Sequence, residues 1–284
     1  MGEREGGMSD FLTFARAHGV LIRDLDTSGR LCRVPTEDHP RKRNGAYRFD
    51  GERGFVFRWD ADAKAIWFDR PDYKPDPAEL RRREAMVRAM HEEQLRKHDE
   101  AAMLAASMLK SCIPGPHDYL DSKGLRHYQG LVLPDGALFV PMRGLSGNLQ
   151  GAQVIRWNGR GFDKRMLPGM KAKGAVFRIG PTRPAKTILC EGYATGLSIE
   201  LAAKQMRLRA AVLVCFSAGN IENVASQVKG VKAVFADNDE SGRGEEAARN
   251  AGLPYVMSDR VGEDANDLHQ RAGLFAVCGA LMRC

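Results

Sequence analysis

Residues 184–284 of the 284-residue sequence predict an α/β domain in which helices cover a parallel sheet. Short apolar segments alternate with helical segments in this region, and the apolar segments lack the regular polar positions of half-exposed strands. The predicted strands span 187–190, 211–216, 231–236 and 254–257, and the predicted helices span 193–206, 221–228 and 242–251. Right-handed crossovers join such units, and functional groups then lie beyond the carboxyl ends of the strands.

The first 75 residues are predicted to form a small β-rich module. A helix begins at Ser9 or Asp10 and runs through Ala17, and turn residues such as Asn44-Gly45 separate the strands that follow. These strands are predicted at 31–34, 46–49, 54–59 and 65–68. The six cysteines of the chain include no CxxC pair, so no zinc is expected to hold this module together.

Basic and aromatic residues lie side by side in this N-terminal module, a combination that suits single-stranded nucleic acid. The DNA-binding candidates in it are Arg41, Lys42, Arg43 and Tyr47. The alternative is that the aromatic side chains only build the core, and we favour this alternative for Trp59 and Trp67.

Residues 76–116 are predicted to be a long helical linker, whose helix runs from Pro77 to Leu109. Asp76 is a suitable N-cap, and Pro114-Gly115-Pro116 ends the helix. Acidic and basic side chains are balanced along it, so we expect a spacer or packing helix and not a DNA-binding one.

Residues 117–183 are predicted to form a basic α+β subdomain with strands at 131–133, 137–140 and 153–156. Between 156 and 186 the sequence has nine lysines and arginines against the single acid Asp163. A basic surface of this kind suits a polyanionic partner, although a merely solvated basic face is the alternative. The chain as a whole has a formal net charge of +7.

The composition is that of an ordinary globular protein, with 43% hydrophobic and 28% charged residues. No run of about 18 apolar residues predicts a membrane span. The charged, glycine-rich start does not resemble a secretory signal, so the cytoplasm is the expected compartment.

Acidic residues directly follow two predicted strands of the C-terminal domain. Glu191 follows the strand at 187–190, Asp237 and Asp239 follow the strand at 231–236, and Asp264 comes after the last strand. We expect these side chains to gather at one edge of the sheet. Clustered carboxylates repel one another unless a cation lies between them, and oxygen ligands suit Mg²⁺ or Mn²⁺.

Two structural alternatives remain for these acids. The segment from Asp237 to Gly242 is similar to the start of an EF-hand loop, but Ala248 stands where that loop needs Glu and a strand precedes it. The acids could also serve only as turn formers and helix caps.

Three segments together resemble the signatures of the Toprim domain, which occurs in DnaG-type primases, topoisomerases and some nucleases. The segments are Glu191-Gly192-Tyr193, Ala236 to Gly242, and Gly262 to Leu268. Tyr119 to Leu125, Phe139 to Gly144, the turn at 147–151 and Lys164 to Phe177 resemble the basic subdomain that precedes Toprim in DnaG-type primases. The N-terminal stretch with Arg33 and Trp59 is similar to the leading module of phage and plasmid primases.

This resemblance implies a DNA primase that synthesises primers on single-stranded DNA by metal-dependent nucleotidyl transfer during phage or plasmid replication. It assigns Glu191, Asp237 and Asp239 to catalysis and metal binding, and Asp264 to further metal binding. The residues expected to bind nucleic acid or nucleotide are Arg143, Arg156, Lys164, Arg165, Lys171 and Lys173. The implied partners are a single-stranded DNA template, nucleoside triphosphates and a replicative helicase supplied separately.

The sequence departs from bacterial primases at Thr195, where those enzymes often have Asp, and at Asn266, which replaces the second acid of the last signature. The zinc-ribbon cysteines of bacterial primases are absent. A Toprim-type metal-dependent nuclease and a non-catalytic single-stranded-DNA-binding replication factor remain as alternatives. A topoisomerase is disfavoured because there is no room for a large domain with a tyrosine nucleophile.

Overall fold

A computed structural model describes residues 2–59, 65–68 and 77–283. The chain divides into two compact units, Met1–Met86 and Val87–Cys284. The predicted N-cap Asp76 and the predicted boundary after residue 75 lie outside the described residues.

The N-terminal unit consists of one helix and a four-stranded antiparallel sheet. Its elements are α1 (Gly2–Ala17), β1 (Cys32–Val34), β2 (Gly45–Phe49), β3 (Gly54–Arg58) and β4 (Ile66–Phe68), with the strands in sequential order. Phe11 of α1 stacks on Phe49 with 4.2 Å between the ring centres. A Cβ atom at Gly54 would lie only 2.7 Å from the Phe11 ring, so this contact requires glycine.

The expected roles of three aromatic residues in this unit are wrong. Tyr47 is only 1% exposed, and its hydroxyl accepts a hydrogen bond from the Asp26 amide and donates one to the Asp24 carbonyl, so its ring cannot stack on a base. Trp59 and Trp67, expected in the core, are 50% and 41% exposed. Strand alternation explains the difference, because Ile66 and Phe68 take the core side of β4 and leave Trp67 on the other face.

Helix α2 (Pro77–Ser111) matches the predicted long helix. Its last turns pack through Ala105, Met108 and Leu109 against an apolar sheet face that includes Phe139 and Val154. In the C-terminal unit the helix therefore has the packing role that its balanced charge indicated.

The C-terminal unit contains two five-stranded sheets, of which the first is entirely antiparallel. Its elements are β5 (Ile113–Gly115), α3 (Asp118–Ser122), β6 (Gly130–Val132), β7 (Leu138–Arg143), β8 (Leu149–Trp157) and β9 (Phe162–Met166). The sequence predicted β6, β7 and β8. It missed β5 because Pro-Gly-Pro resembles a helix stop, and β9 because three of its five residues are charged.

The second sheet has the order β10-β12-β11-β13-β14. Its strands are β10 (Phe177–Ile179), β11 (Lys186–Cys190), β12 (Ala210–Val214), β13 (Lys232–Phe235) and β14 (Tyr255–Val256). The helices are α4 (Tyr193–Gln205), α5 (Ala218–Ala225), α6 (Arg243–Asn250), α7 (Ala265–Ala272) and α8 (Leu274–Leu281). β11 to β14 run parallel to one another, which confirms the predicted α/β fold with a parallel sheet flanked by helices.

Strand β10 was expected in the basic subdomain, but it pairs antiparallel with β12 at the edge of the second sheet. Phe177 and Ile179 pack there against the large core that the two sheets share. Leu138, Val140 and Ile155 of the first sheet enter the same core, so the sheets face each other across it. No helix among the described residues is long and apolar enough to cross a membrane.

Candidate active site

The carboxyl ends of β11 and β13 place the predicted acids beside one another. The two strands are parallel neighbours, with Ile188 opposite Ala233 and Leu189 opposite Val234. Glu191 directly follows β11, and Asp237 follows β13 after one further residue. The sheet topology therefore brings together acids that lie 46 positions apart in the sequence.

Asp237 has the most perturbed carboxyl group of this cluster. Burial raises its pKa to about 7, and the negative charges of Asp264, Glu191 and Asp239 add to the effect. Its Oδ1 atom is buried and has no hydrogen-bond partner. A carboxylate with a buried, unsatisfied oxygen among other carboxylates is costly without a cation, so this position is suited to binding one.

Glu191 is influenced both by another acid of the cluster and by a basic side chain. Burial and the charge of Asp239 raise its pKa, whereas a hydrogen bond from the Ala218 amide and the charge of Lys164 lower it. The Ala218 amide is available because Ala218 is the first residue of α5, where amides have no acceptor within the helix. Phe216, just before this helix, has a left-handed backbone conformation with φ of 65°. Such backbone conformations in a residue other than glycine concentrate at functional sites.

Asp264 is held by hydrogen bonds to both carboxylate oxygens. Oδ1 caps α7 by accepting from the amides of Asn266 and Asp267, at 2.7 and 2.9 Å. Oδ2 accepts from the Thr195 hydroxyl at 2.7 Å. Thr195, where bacterial primases often have Asp, thus orients an acid of the cluster.

Asn266 is a structural residue and is not exposed at all. Its amide nitrogen donates to the Lys123 carbonyl at 2.9 Å and to the Ser198 hydroxyl at 3.0 Å, and its oxygen accepts from Gln270. The residue connects the segment after α3 to α4 and α7. Asn266 therefore does not supply an acid at this position, and its hydrogen bonds instead join the segment after α3 to the helices of the second sheet.

The loop after Asp237 is exposed, but the helix that follows it begins close to the Asp237 backbone. Asp239 is exposed and accepts a hydrogen bond from the Ser241 hydroxyl at 2.6 Å. At Gly244, in the first turn of α6, a Cβ atom would lie 2.5 Å from the Asp237 carbonyl oxygen. Only glycine allows α6 to begin so close to the backbone of Asp237.

Lys164 is the predicted basic residue whose charge acts on an acid of the cluster, Glu191. It lies on β9, and its Nζ atom is 5.2 Å from the centre of the Tyr119 ring. Its neighbours Phe162 and Met166 on the same face of β9 pack on the core shared with the second sheet. Lys164 thus points toward the second sheet, in agreement with its electrostatic effect on Glu191.

Tyr119 lies near the acidic cluster and Lys164, and the sequence did not single it out for a role. Its side chain is 1% exposed, and its hydroxyl is buried without a hydrogen-bond partner. Burial raises its pKa to about 12, while Lys123 lowers it and Asp264 and Asp267 raise it further. The hydroxyl is therefore close to the acidic cluster, and no pattern in the sequence could have indicated this.

Several other predicted basic residues are engaged elsewhere. Arg165 alternates with Lys164 along β9, so it lies on the opposite face, where it pairs with Asp163 at 2.6 Å. Arg156 forms an ion pair with Asp135, and Arg143 donates to the Gly147 carbonyl at 3.0 Å.

Lys171 and Lys173 are exposed on the segment between β9 and β10. Buried Asn220 of α5 fixes this segment, because it accepts from the Gly174 amide at 2.7 Å and donates to the Ala175 carbonyl at 2.8 Å. Lys173 is thereby held next to α5, whose first residue supplies the amide bound by Glu191.

The oxygen ligands of the acids suit Mg²⁺ or Mn²⁺, but they would surround only part of such an ion. Among residues 2–59, 65–68 and 77–283, no three His, Cys, Asp or Glu side chains are arranged to enclose one ion. Mg²⁺ is usually bound through one or two carboxylates, several waters and substrate phosphates. The unsatisfied Oδ1 of Asp237 is the atom best suited to such a role.

Residues 186–274 match the model of the Toprim domain family. This part of the chain is therefore a Toprim domain, and the predicted resemblance is confirmed for it. No curated protein matches the sequence.

Three solved structures have folds similar to parts of this chain. One belongs to a complex of the bacteriophage T7 lagging-strand DNA polymerase with primase domains of two gp4 subunits bound to an RNA/DNA hybrid and dTTP; it has 15% identity and a TM-score of 0.43 over 60% of this chain and 92% of that one. A DNA primase domain from Pseudomonas aeruginosa has 16% identity and a TM-score of 0.37 over 52% of this chain and 50% of that one. A DnaG primase catalytic domain bound to single-stranded DNA has 15% identity and a TM-score of 0.38 over 67% and 71%, respectively.

Proposed function

We propose that this protein is a DNA primase that joins nucleotides on a single-stranded DNA template during phage or plasmid replication. The observation that supports this function most strongly is the unsatisfied, buried Oδ1 of Asp237 among three other acids, with Lys164 acting on Glu191 from the facing sheet. Carboxylates beside a cationic side chain suit phosphate chemistry, because both the metal and the phosphates of a nucleotide are bound there.

Each residue of the cluster then has a distinct task. Asp237 and Asp239 would hold Mg²⁺ or Mn²⁺, and Asp264 would stabilise this arrangement from the start of α7. A metal held there would neutralise triphosphate charge and favour attack by the 3′-hydroxyl on the α-phosphate, with pyrophosphate as the leaving group. Glu191 binds a second metal or accepts the proton of the attacking 3′-hydroxyl.

Lys164 contacts phosphate from the opposite side, and Lys171 and Lys173 extend the positive surface along the segment fixed by Asn220. Arg143, Arg156 and Arg165 remain candidates for template contacts outside this immediate cluster. Nucleoside triphosphates as substrates, a separately supplied replicative helicase and a cytoplasmic location belong to the same proposal.

The test is a primer-synthesis assay with labelled nucleotides on single-stranded templates, with and without Mg²⁺ or Mn²⁺. The variant Asp237→Asn should lose incorporation, because it removes the charge from the central carboxylate. The matched control is Glu240→Gln, which removes an exposed carboxylate from the same loop and should retain activity.

Two results would contradict the proposal. Metal-dependent cleavage of DNA without synthesis would identify a nuclease that uses the same carboxylates. Binding of single strands without any incorporation, by a folded protein supplied with metal and all nucleotides, would identify a non-catalytic replication factor.

A further inference from the structure

The outer face of the N-terminal sheet carries arginines and aromatic rings. We call it the exposed sheet face; it is formed by Arg33, Arg48, Phe55, Phe57, Trp59 and Trp67. Arg33 lies opposite Ala46, which lies opposite Phe57, and these three residues form one row across the strands. The next row is Arg48, Phe55 and Trp67. Residues that are paired across strands project to the same side, and Trp59 follows Phe57 by two positions.

The core of the module lies on the other side of this sheet. Val56, Ile66 and Phe68 pack there around Phe11. The rings of the exposed sheet face are therefore not needed to bury that core. Trp59 is 50% exposed and Trp67 is 41% exposed, which is unusual for the largest apolar side chains of a small module.

The rings and cations on this face are already arranged against one another. The Arg33 guanidinium lies 3.7 Å from the centre of a Trp59 ring. Phe57 contacts Trp59 edge to face at 4.9 Å, and Phe55 contacts Trp67 at 5.1 Å. Aromatic rings ordered in this way present a surface on which another planar group can stack at little entropic cost.

Basic side chains lie on and beside this face. Arg33 also donates from Nε to the Arg43 carbonyl at 3.1 Å, which holds the exposed basic loop Arg41 to Arg43 beside the face. Neither row of the face contains an acid. A ligand that stacks on these rings is therefore favoured if it carries negative charge along its backbone.

We propose that the exposed sheet face binds single-stranded DNA, with bases stacked on Trp59, Trp67 and the adjacent phenylalanines and with phosphates bound by the arginines. Single strands offer unpaired base faces, whereas a duplex hides them inside its stack. This inference rests on the proposed function, because it supplies a second binding surface for the template at a distance along the chain from the acidic cluster. A protein partner could also bury the same rings, but an ordinary protein surface would not supply a row of negative charges to the arginines of this face.

The test uses the full-length chain in EDTA without nucleotides, so that catalysis does not contribute. The chain has three tryptophans, and the variant Trp157→Phe leaves only the two on the exposed sheet face. Oligo(dT) should quench the fluorescence of this variant. Anisotropy of labelled oligo(dT) should show at least about 30-fold weaker binding by the double variant Trp59→Ala/Trp67→Ala. The control Phe275→Ala, which truncates a 75% exposed ring on α8, should bind like the parent chain.

Several outcomes would overturn the inference. They are the absence of quenching in Trp157→Phe, unchanged affinity of the double variant, equally tight binding of duplex DNA, and tighter binding of oligo(U) than of oligo(dT). Loss of self-association in sedimentation of the double variant, with unchanged DNA affinity, would instead identify an interface between two copies. If the double variant does not fold, the quenching experiment still decides.

The same design separates this inference from the proposed function. Asp237→Asn should abolish nucleotide incorporation and leave the quenching by oligo(dT) intact. Incorporation without quenching refutes only the surface, and quenching without incorporation by the parent chain refutes only the primase.

Discussion

The perturbed carboxyl group of Asp237 should make the metal-free protein less stable as the pH rises. Its pKa is raised from 3.8 to about 7 by burial and by the neighbouring acids. Between these values the folded protein binds more protons at this group than the unfolded chain does, so the free energy of unfolding falls with increasing pH. Three pKa units correspond to about 4 kcal/mol, and this destabilisation is fully present above about pH 7 and absent below about pH 4.

The variant Asp237→Asn removes this charge without changing the shape of the side chain. In EDTA at about pH 8 we expect it to be more stable than the parent by about 2 to 4 kcal/mol, and near pH 4 the difference should disappear. Urea denaturation followed by circular dichroism measures both values. Glu240→Gln, the exposed control, should leave the parent's pH dependence unchanged. A variant that is no more stable at high pH, or a difference that persists at low pH, would refute the assigned burial and repulsion.

Three further predictions concern packing and the basic surface. Asn266→Ala should lower the free energy of unfolding by about 2 kcal/mol, measured in urea, because it leaves buried groups without partners. An unchanged free energy of unfolding would contradict the stabilising role of the Asn266 hydrogen bonds. Gly244→Ala should lower the thermal midpoint, whereas Gly279→Ala in α8, where a Cβ atom meets open space, should raise or preserve it. Lys164→Ala should reduce the salt dependence of single-stranded DNA binding by about one charge, whereas Arg165→Ala, on the opposite face of β9, should reduce it less; equal effects would contradict the orientation of the strand.

The acidic cluster could be predicted because it depends on a rule that relates sequence to topology. Glu191 and Asp237 each come at the end of an apolar segment, and parallel neighbours bring such ends to one edge of a sheet. The prediction of the cluster required only the approximate positions of the strands and not their exact bounds. β11 begins one residue before the predicted strand, and β13 is one residue shorter than predicted at each end.

The side of a sheet that a ring occupies could not be predicted in the N-terminal unit. Trp67 and Phe68 are adjacent in sequence, and alternation alone does not say which of them points to the core. The contact of Phe11 with Phe49 decides the matter, because α1 covers only one side of the sheet. Tyr47 is buried and Trp67 exposed for this reason.

The surroundings of each acid were also beyond the sequence. Thr195 reaches Asp264 across 69 positions, and the Asn266 side chain reaches the Lys123 carbonyl across 143. The Tyr119 hydroxyl is buried without a partner because α3 packs against the core that the two sheets share. Contacts of this kind arise from tertiary structure and leave no local pattern.

Binding of Mn²⁺ is the measurement that tests the central claim most directly, because the proposed chemistry requires a divalent cation at the acidic cluster. Electron paramagnetic resonance of Mn²⁺, with and without a nucleoside triphosphate, should show binding by the parent chain and by Glu240→Gln. Binding should be strongly weakened in Asp237→Asn. Equal binding by Asp237→Asn and the parent would contradict the assignment of this carboxylate, and with it the proposed active site.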